Sequence, residues 1–328
     1  MMSLCSIRQK VDAMNIIRTI VILLCMCLAS SQLHAQENSD LKGTSCVPVM
    51  AVSEDALAFT NGEQMDFILH YKWGAINTDV GSATVTLDSL TYNGEKAFLC
   101  SAQGRTTRMF DRIFKVREDF KSWFTRDGLR PLKFTRDTYE GGYEAKNTYH
   151  YNWNAAEPYI AAEVFSSKRG MKSMQLPLTP CTFDLPALFF FARNMDFDVV
   201  EPGKRYPMTF AIDDDIYNVY FILYGRETIK VKGLGSVRTI KFAAKLLEGE
   251  VFKGEEDMLI WVTDDSNRLP VYFEAPLLVG TATGRMSGYD GLKYPFDALV
   301  LELLYNEFLI FRIFSPLVRT PVILFLVV

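Results

Sequence analysis

A mostly β fold is what the sequence predicts: an antiparallel meander or half-barrel, sandwich-like, in two strand-rich halves with one buried aromatic helix. Three observations lead there. Apolar and polar residues alternate strictly over run after run, and period two is the signature of a half-buried strand. Turn-forming pairs such as Asn93-Gly94 and Gly141-Gly142 separate the runs. One segment alone, residues 184–195, reads as a helix, with Leu188, Phe189, Phe190 and Phe191 spread around most of its girth.

In the first run Met65, Phe67, Leu69, Tyr71 and Trp73 share one face, and Gln64, Asp66, His70 and Lys72 the other. Ala83, Val85 and Leu87 alternate with Ser82, Thr84, Thr86 and Asp88 in the second. Past the Asn93-Gly94 turn, Phe98, Cys100 and Ala102 continue the pattern. Strands over 120–125 and 132–138 flank Arg126-Asp127-Gly128, and Gly141-Gly142 opens a two-faced strand over 143–153. Asp184 is placed to cap the helix and Pro186 fits its first turn, where a missing N–H is harmless. So apolar a helix has to be nearly enclosed, plugging or buttressing a sheet. Seven further strands follow Pro202-Gly203, over 207–212, 217–224, 228–232, 237–246, 258–263, 270–274 and 278–286.

The 328 residues, 49% hydrophobic and 23% charged, are enough for a large core. At the N-terminus Arg18 and Thr19 precede an apolar stretch from Ile20 to Ala29 and a small-residue exit to Ala35, the layout of a cleaved export signal over 1–35. That stretch is about half of what a bilayer-spanning helix needs. Removing it leaves a loose segment over 36–58, a β domain over 59–301 in halves of about 59–180 and 203–301, and an apolar tail over 302–328. The tail is broken by two arginines and two prolines, so an anchor, a core element and an aberrant end all stay open. The mature chain keeps Cys46, Cys100 and Cys181. Cys46 and Cys181 could pair in an oxidising compartment, or all three could be buried thiols.

Composition excludes more than it assigns. Three histidines, His34, His70 and His150, give little for a zinc site or a catalytic triad, and no Gly-x-Ser-x-Gly elbow is present. The expectation is no enzyme, no cofactor and no metal, with paired carboxylates of a polysaccharide hydrolase not excluded. Asp213-Asp214-Asp215 and Asp264-Asp265 lack calcium-loop spacing and read as turn chemistry. Between Arg105 and Arg136 ten basic residues face four acidic ones, within a chain of net charge -4. Arg105, Arg108, Arg112, Lys115 and Arg117 are the candidate contacts to an anionic ligand, with Phe189, Phe190 and Phe191 for an apolar one. An acidic exported chain gives no reason to expect nucleic acid.

Several spaced motifs carry a resemblance. They are Phe59-Thr60-Asn61-Gly62-Glu63 leading to Tyr71-Lys72-Trp73-Gly74, then Val80-Gly81-Ser82-Ala83, the stretch from Asp111 to Arg117, the helix around Asp184 to Arg193, Ile212-Asp213-Asp214-Asp215, and Trp261-Val262-Thr263-Asp264-Asp265 with Arg268-Leu269-Pro270-Val271. Over roughly 59–295 the chain resembles a family of exported bacterial proteins catalogued as domain of unknown function 3108, most like the branch in gut Bacteroidales. The resemblance implies a periplasmic or outer-membrane-associated antiparallel β protein and carries no catalytic residues. Two expectations follow: a non-catalytic envelope protein that binds or shields a lipid or glycolipid, or a structural or assembly factor for envelope polysaccharide or outer-membrane machinery. Its partners would be a lipid, glycolipid or acidic polysaccharide, or another envelope protein. A ligand carrier predicts an apolar cavity, an assembly factor a filled core, and a hydrolase two carboxylates in a cleft.

Overall fold

Antiparallel pairing runs through nearly the whole chain in a computed structural model that describes residues 53–244, 258–277 and 280–300. The export signal, Cys46 and the apolar tail lie outside the described residues. In chain order the elements are β1 (Glu63–Trp73), β2 (Ile76–Tyr92), β3 (Glu95–Thr106), α1 (Arg108–Asp111), β4 (Val116–Thr125), β5 (Pro131–Glu140), β6 (Tyr143–Asn152), β7 (Tyr159–Ser166), β8 (Gly170–Pro177) and β9 (Thr182–Phe183). There follow α2 (Leu185–Ala192), β10 (Arg205–Ile212), β11 (Asp215–Val231), β12 (Gly235–Ala244), β13 (Met258–Thr263), β14 (Pro270–Pro276), β15 (Thr281–Asp290) and β16 (Leu299–Val300). The strands make one sheet in the order β8-β7-β6-β5-β4-β3-β2-β1-β15-β14-β13-β12-β11-β10-β9, with β16 on β12. Its central seam is β1 against β15, from Gln64↔Asp290 to Lys72↔Thr281.

The alternation in the sequence is the alternation of burial. Along β1 the residues Met65, Phe67, Leu69 and Tyr71 are buried while their neighbours face outward. Trp73, on the same face by pattern, is 40% exposed because it closes the β1–β2 turn beyond the core. Asn93 and Gly94 both take positive φ, 49° and 86°, which a two-residue turn matched to strand twist requires.

Three differences from the expected elements have physical causes. The stretch read as strands 217–224 and 228–232 is one strand, β11, which passes Gly225 through a bulge; the polar Gly225-Arg226-Glu227 looks like a turn only in sequence. β7 and β8, between Trp153 and the helix, were not expected. β7 turns Ala162 and Ser166 inward beside Ile160 and Val164, which blurs its contrast, and β8 is an edge strand with Leu176 its one buried residue. The helix ends at Ala192, short of the expected 195, because Arg193 and Asn194 leave it to make buried polar contacts. The segment expected to be loose is packed at its end: Leu57 and Ala58 are buried, and the Ala58 N–H donates to Asn194 Oδ1 at 3.0 Å.

The sheet curls until its ends meet. Arg136 Nη1 of β5 and Asn147 Nδ2 of β6 donate to Asp213 Oδ1 in the β10–β11 turn at 2.8 and 3.0 Å. Tyr149 donates its hydroxyl to the Asp213 carbonyl at 2.7 Å, and Arg169 and Lys172 both reach Asp214 at 3.0 Å. Inside the curl lies α2. Asp184 caps it, accepting from the Ala187 N–H at 2.9 Å, as the sequence pattern anticipates. Phe190 stacks edge-on against Phe59 at 4.7 Å, and Phe191 lies 4.4 Å from Phe183. Cys100 is a buried free thiol, whereas Cys181 is disulfide-bonded to a partner outside the described residues.

Tight packing shows at Gly284 on β15, where an added Cβ would stand 2.0 Å from the Phe273 ring of β14. The backbone there is ordinary, so the conflict is purely steric. Gly284→Ala is expected to cost about 1–3 kcal/mol of unfolding free energy by urea denaturation. An unchanged midpoint would show that the Phe273 ring is free to turn away.

Candidate ligand-binding groove

β2 to β6 present their outward, polar faces side by side, and the saddle between them forms an open groove of about 790 Å³. Each strand supplies side chains by the two-residue period: Ser82 and Thr84 from β2, Gln103 and Arg105 from β3, Arg117, Asp119 and Lys121 from β4, Thr135, Asp137 and Tyr139 from β5, Lys146 and Thr148 from β6. Cross-strand register sets Arg105 directly opposite Arg117. Like charges so placed repel. The conflict is relieved by Asp111 of α1, which takes Arg117 in a two-pronged contact, Nη1 to Oδ1 at 2.9 Å and Nη2 to Oδ2 at 2.6 Å. Those hydrogen bonds from Arg117 hold the Asp111 carboxyl down at about 2.

The remaining charges are partly spoken for. Lys146 meets Asp137 at 3.0 Å and Lys121 lies 3.8 Å from Asp119, itself accepting from Gln103 Nε2 at 2.9 Å. Exposed Arg105 has no ion-pair partner among the described residues. An anion entering the groove would therefore meet one free guanidinium, two lysines whose surface pairs are weak, and a row of hydroxyls. Beneath the groove, on the inward face, Glu118 accepts from Thr138 Oγ1 at 2.5 Å, and burial, then the neighbouring Glu118 carboxylate, raises the Glu140 carboxyl well above its ordinary range.

A second, apolar pocket of about 170 Å³ lies inside the curl, between Phe67 and Leu69 of β1, Val85 of β2, Phe120 of β4, Phe189 of α2 and Phe273 of β14. Gln103, Gly104 and Glu118 border both spaces. The pocket is about the size of a cavity that takes one benzene, and well below the roughly 300–1,000 Å³ of ordinary ligand sites.

The sequence candidates divide among these places. Arg105 and Arg117 line the groove, while Arg108, Arg112 and Lys115 stand exposed on the β3–α1–β4 connection beyond it. Phe189 lines the apolar pocket, whereas Phe190 and Phe191 are core. The basic stretch over 105–136 is not one patch. Arg126 pairs with Glu54 at 2.8 Å, Arg130 and Lys133 lie over Trp153 and Trp123 at the opposite end of the sheet, and Arg136 is buried against Asp213. Lys146 and Tyr139 were missed as site residues, because only strand pairing extends the face of β3 and β4 across β5 to β6. Of the acidic runs, Asp264-Asp265 serves a turn, Asp265 Oδ1 accepting from Thr263 Oγ1 at 2.7 Å and from the Asn267 N–H at 3.0 Å, whereas Asp213 and Asp214 give their side chains to Arg136, Asn147, Arg169 and Lys172 across the closure. No group of three or more His, Cys, Asp or Glu among the described residues is arranged to hold a metal, and no described helix is long and apolar enough to cross a membrane.

A family model described as a protein of unknown function (DUF3108) matches residues 66–287. A search of curated proteins finds no match to the chain. Among solved structures the chain is similar to a β-barrel-like protein of domain of unknown function DUF1849 from Brucella abortus, at 10% identity and a TM-score of 0.47, covering 76% of this chain and 100% of that one. A protein from Bacteroides fragilis described as exported, with a YmcC-like fold, aligns at 9% identity and a TM-score of 0.30 over 75% of this chain and 100% of its own. One from Parabacteroides distasonis described as a lipoprotein aligns at 12% identity and a TM-score of 0.29, with the same coverage of 75% and 100%.

Proposed function

The chain belongs to the DUF3108 family, and from that premise we propose that it is an exported, non-catalytic envelope protein of the kind found in gut Bacteroidales that binds an anionic saccharide in the groove across β2–β6. The saccharide is the headgroup of a glycolipid or a stretch of acidic polysaccharide; both offer the same carboxylate or phosphate among hydroxyls. The observation that carries this reading is the groove itself, about 790 Å³ of polar wall with Arg105 at its α1 end making no ion pair among the described residues. Export is supported by the signal-like layout of residues 1–35 and by a disulfide at Cys181, a bond that persists in oxidising compartments.

The apolar pocket inside the curl has no room for an acyl chain. The apolar pocket of about 170 Å³ takes a small group at most, so a glycolipid would keep its tails outside the curl. The filled interior equally suits the second reading, an assembly factor that works through protein contacts. The two separate in one experiment: binding of uronate and phosphorylated oligosaccharides to the mature chain at about 0.15 M salt, compared with the double variant Arg105→Gln, Lys121→Gln. Groove binding predicts at least a tenfold weakening in the variant, about 1.4 kcal/mol or more. A mature chain that binds none of the oligosaccharides, or a variant that binds as well, moves the reading to protein partners.

A further inference from the structure

The described residues expose nine large apolar side chains by more than a third, and five of them gather at one end of the sheet. These are Trp73 at 40%, Ile76 at 37%, Met109 at 61%, Ile113 at 48% and Met171 at 67%. Topology puts them together. Trp73 and Ile76 close the β1–β2 turn, and the pair Gly81↔Thr106 brings the end of β3, and hence α1, to the same end. The Gly141 N–H donates to Lys115 O and the Ser167 N–H to Glu144 O, both at 2.9 Å, which aligns the β5–β6 and β7–β8 turns along it. A rim therefore runs from Trp73 through α1 to Met171, apolar tips spaced along it.

Charge follows the same rim. Lys72, Arg108, Arg112, Lys115 and Lys168 are exposed there with no ion-pair partner among the described residues. Lys115 and Lys168 lie over the Tyr139 and Tyr143 rings at 5.4 and 5.6 Å. Of the carboxylates at this end, Asp79, Asp111, Asp213 and Asp214 are engaged by Arg285, Arg117, Arg136 and the Arg169–Lys172 pair, leaving Glu144, Asp215 and, level with Asp79 across the β1–β15 seam, Glu274. Isolated exposed apolar residues need no explanation, but five on one rim, interleaved with cations, do. A soluble polar ligand gains nothing from Trp, Ile and Met. A bilayer surface does, because such side chains settle at the headgroup level while Lys and Arg meet anionic lipid.

We propose that this rim, the β1–β2 turn, α1 and the β7–β8 turn, docks on an anionic phospholipid surface. The surface is separate from the saccharide groove, although Arg105 and Arg117 put the groove's mouth next to α1, above the membrane so touched. Apolar contact and cations act together at this rim, and the test uses the complete mature chain.

The experiment is sedimentation with vesicles of phosphatidylglycerol and phosphatidylcholine in equal parts, against phosphatidylcholine alone. The wild-type chain is expected to partition several-fold better onto the anionic vesicles. A variant Trp73→Ser, Ile76→Ser, Met109→Ser, Ile113→Ser is expected to lose tenfold or more. The variant Arg108→Gln, Arg112→Gln, Lys115→Gln should lose the preference for phosphatidylglycerol. Every changed residue is exposed, and thermal unfolding by circular dichroism checks that each variant folds. Absent vesicle binding, or undiminished binding by the apolar rim variant, overturns the proposal; in the second case the binding belongs to another segment. Failure of the groove is read separately, since Arg105→Gln, Lys121→Gln is expected to leave apolar docking in place and the apolar rim variant to leave oligosaccharide binding unchanged.

Discussion

Replacing Arg193 by methionine is expected to lower the unfolding free energy by about 3–5 kcal/mol, enough to unfold many domains of ordinary stability. Arg193 and Glu63 form a two-pronged ion pair with side chains 2% and 0% exposed. The guanidinium also donates to the Asn267 carbonyl at 2.8 Å and the Ala58 carbonyl at 3.3 Å, and it lies over the Phe59 and Phe190 rings at 5.3 and 5.4 Å. One side chain thus joins the first strand, the end of the helix, the N-terminal segment and the β13–β14 turn. Methionine fills much of its volume but leaves the Glu63 carboxylate buried without its partner. That unpaired charge, more than the lost pair, is the source of the cost. The double variant Arg193→Met, Glu63→Gln should therefore recover a large part of the loss. Urea denaturation of the three proteins checks it, and a single-variant loss under about 1 kcal/mol would mean that water reaches Glu63.

That pair also marks where sequence reading stops. Strand faces were legible wherever alternation was clean, as at Met65 to Tyr71, and turns wherever a dipeptide demanded positive φ, as at Asn93-Gly94. Helix capping by Asp184 followed from local chemistry. The groove was half legible: a run of Arg and Lys is visible in one dimension, but whether its members share a face depends on register and on which strands are neighbours. Arg105 and Arg117 came together, while Arg130 and Lys133 went to the other end and Arg136 turned inward. The β1–β15 seam and the Arg193–Glu63 pair join residues far apart in the chain, and no local pattern encodes such partners. β8 stayed hidden for the opposite reason: an edge strand with one buried residue leaves almost no apolar signature.

Between about pH 4 and pH 7, Asp184 is expected to make the protein less stable as pH rises. Burial lifts its carboxyl from the usual range to about 7, against the lowering pull of hydrogen bonds from the Ala187 N–H, Ser122 Oγ and Tyr151 OH. In this window the unfolded chain has released the proton and the folded chain still holds it, so rising pH favours unfolding. The stability tied to this proton is fully present below the unfolded value near 3.8 and is gone once pH passes about 7. Three units correspond to about 4 kcal/mol. Asp184→Asn keeps an oxygen for the Ala187 N–H and cannot ionise, so its advantage over the wild type should be small at pH 4 and grow to several kcal/mol by pH 8. Taking the difference between the two proteins removes the background of other groups. Glu140, raised by burial and by Glu118, acts in the same direction as Asp184, while Asp111, held near 2 by Arg117, matters only in stronger acid. A difference that stays constant from pH 4 to pH 8 would mean that Asp184 ionises as an ordinary carboxylate and that water enters between β4, β6 and the start of the helix. A difference that grows would show a helix capped by a proton-bearing acid, held dry where the curl closes around it.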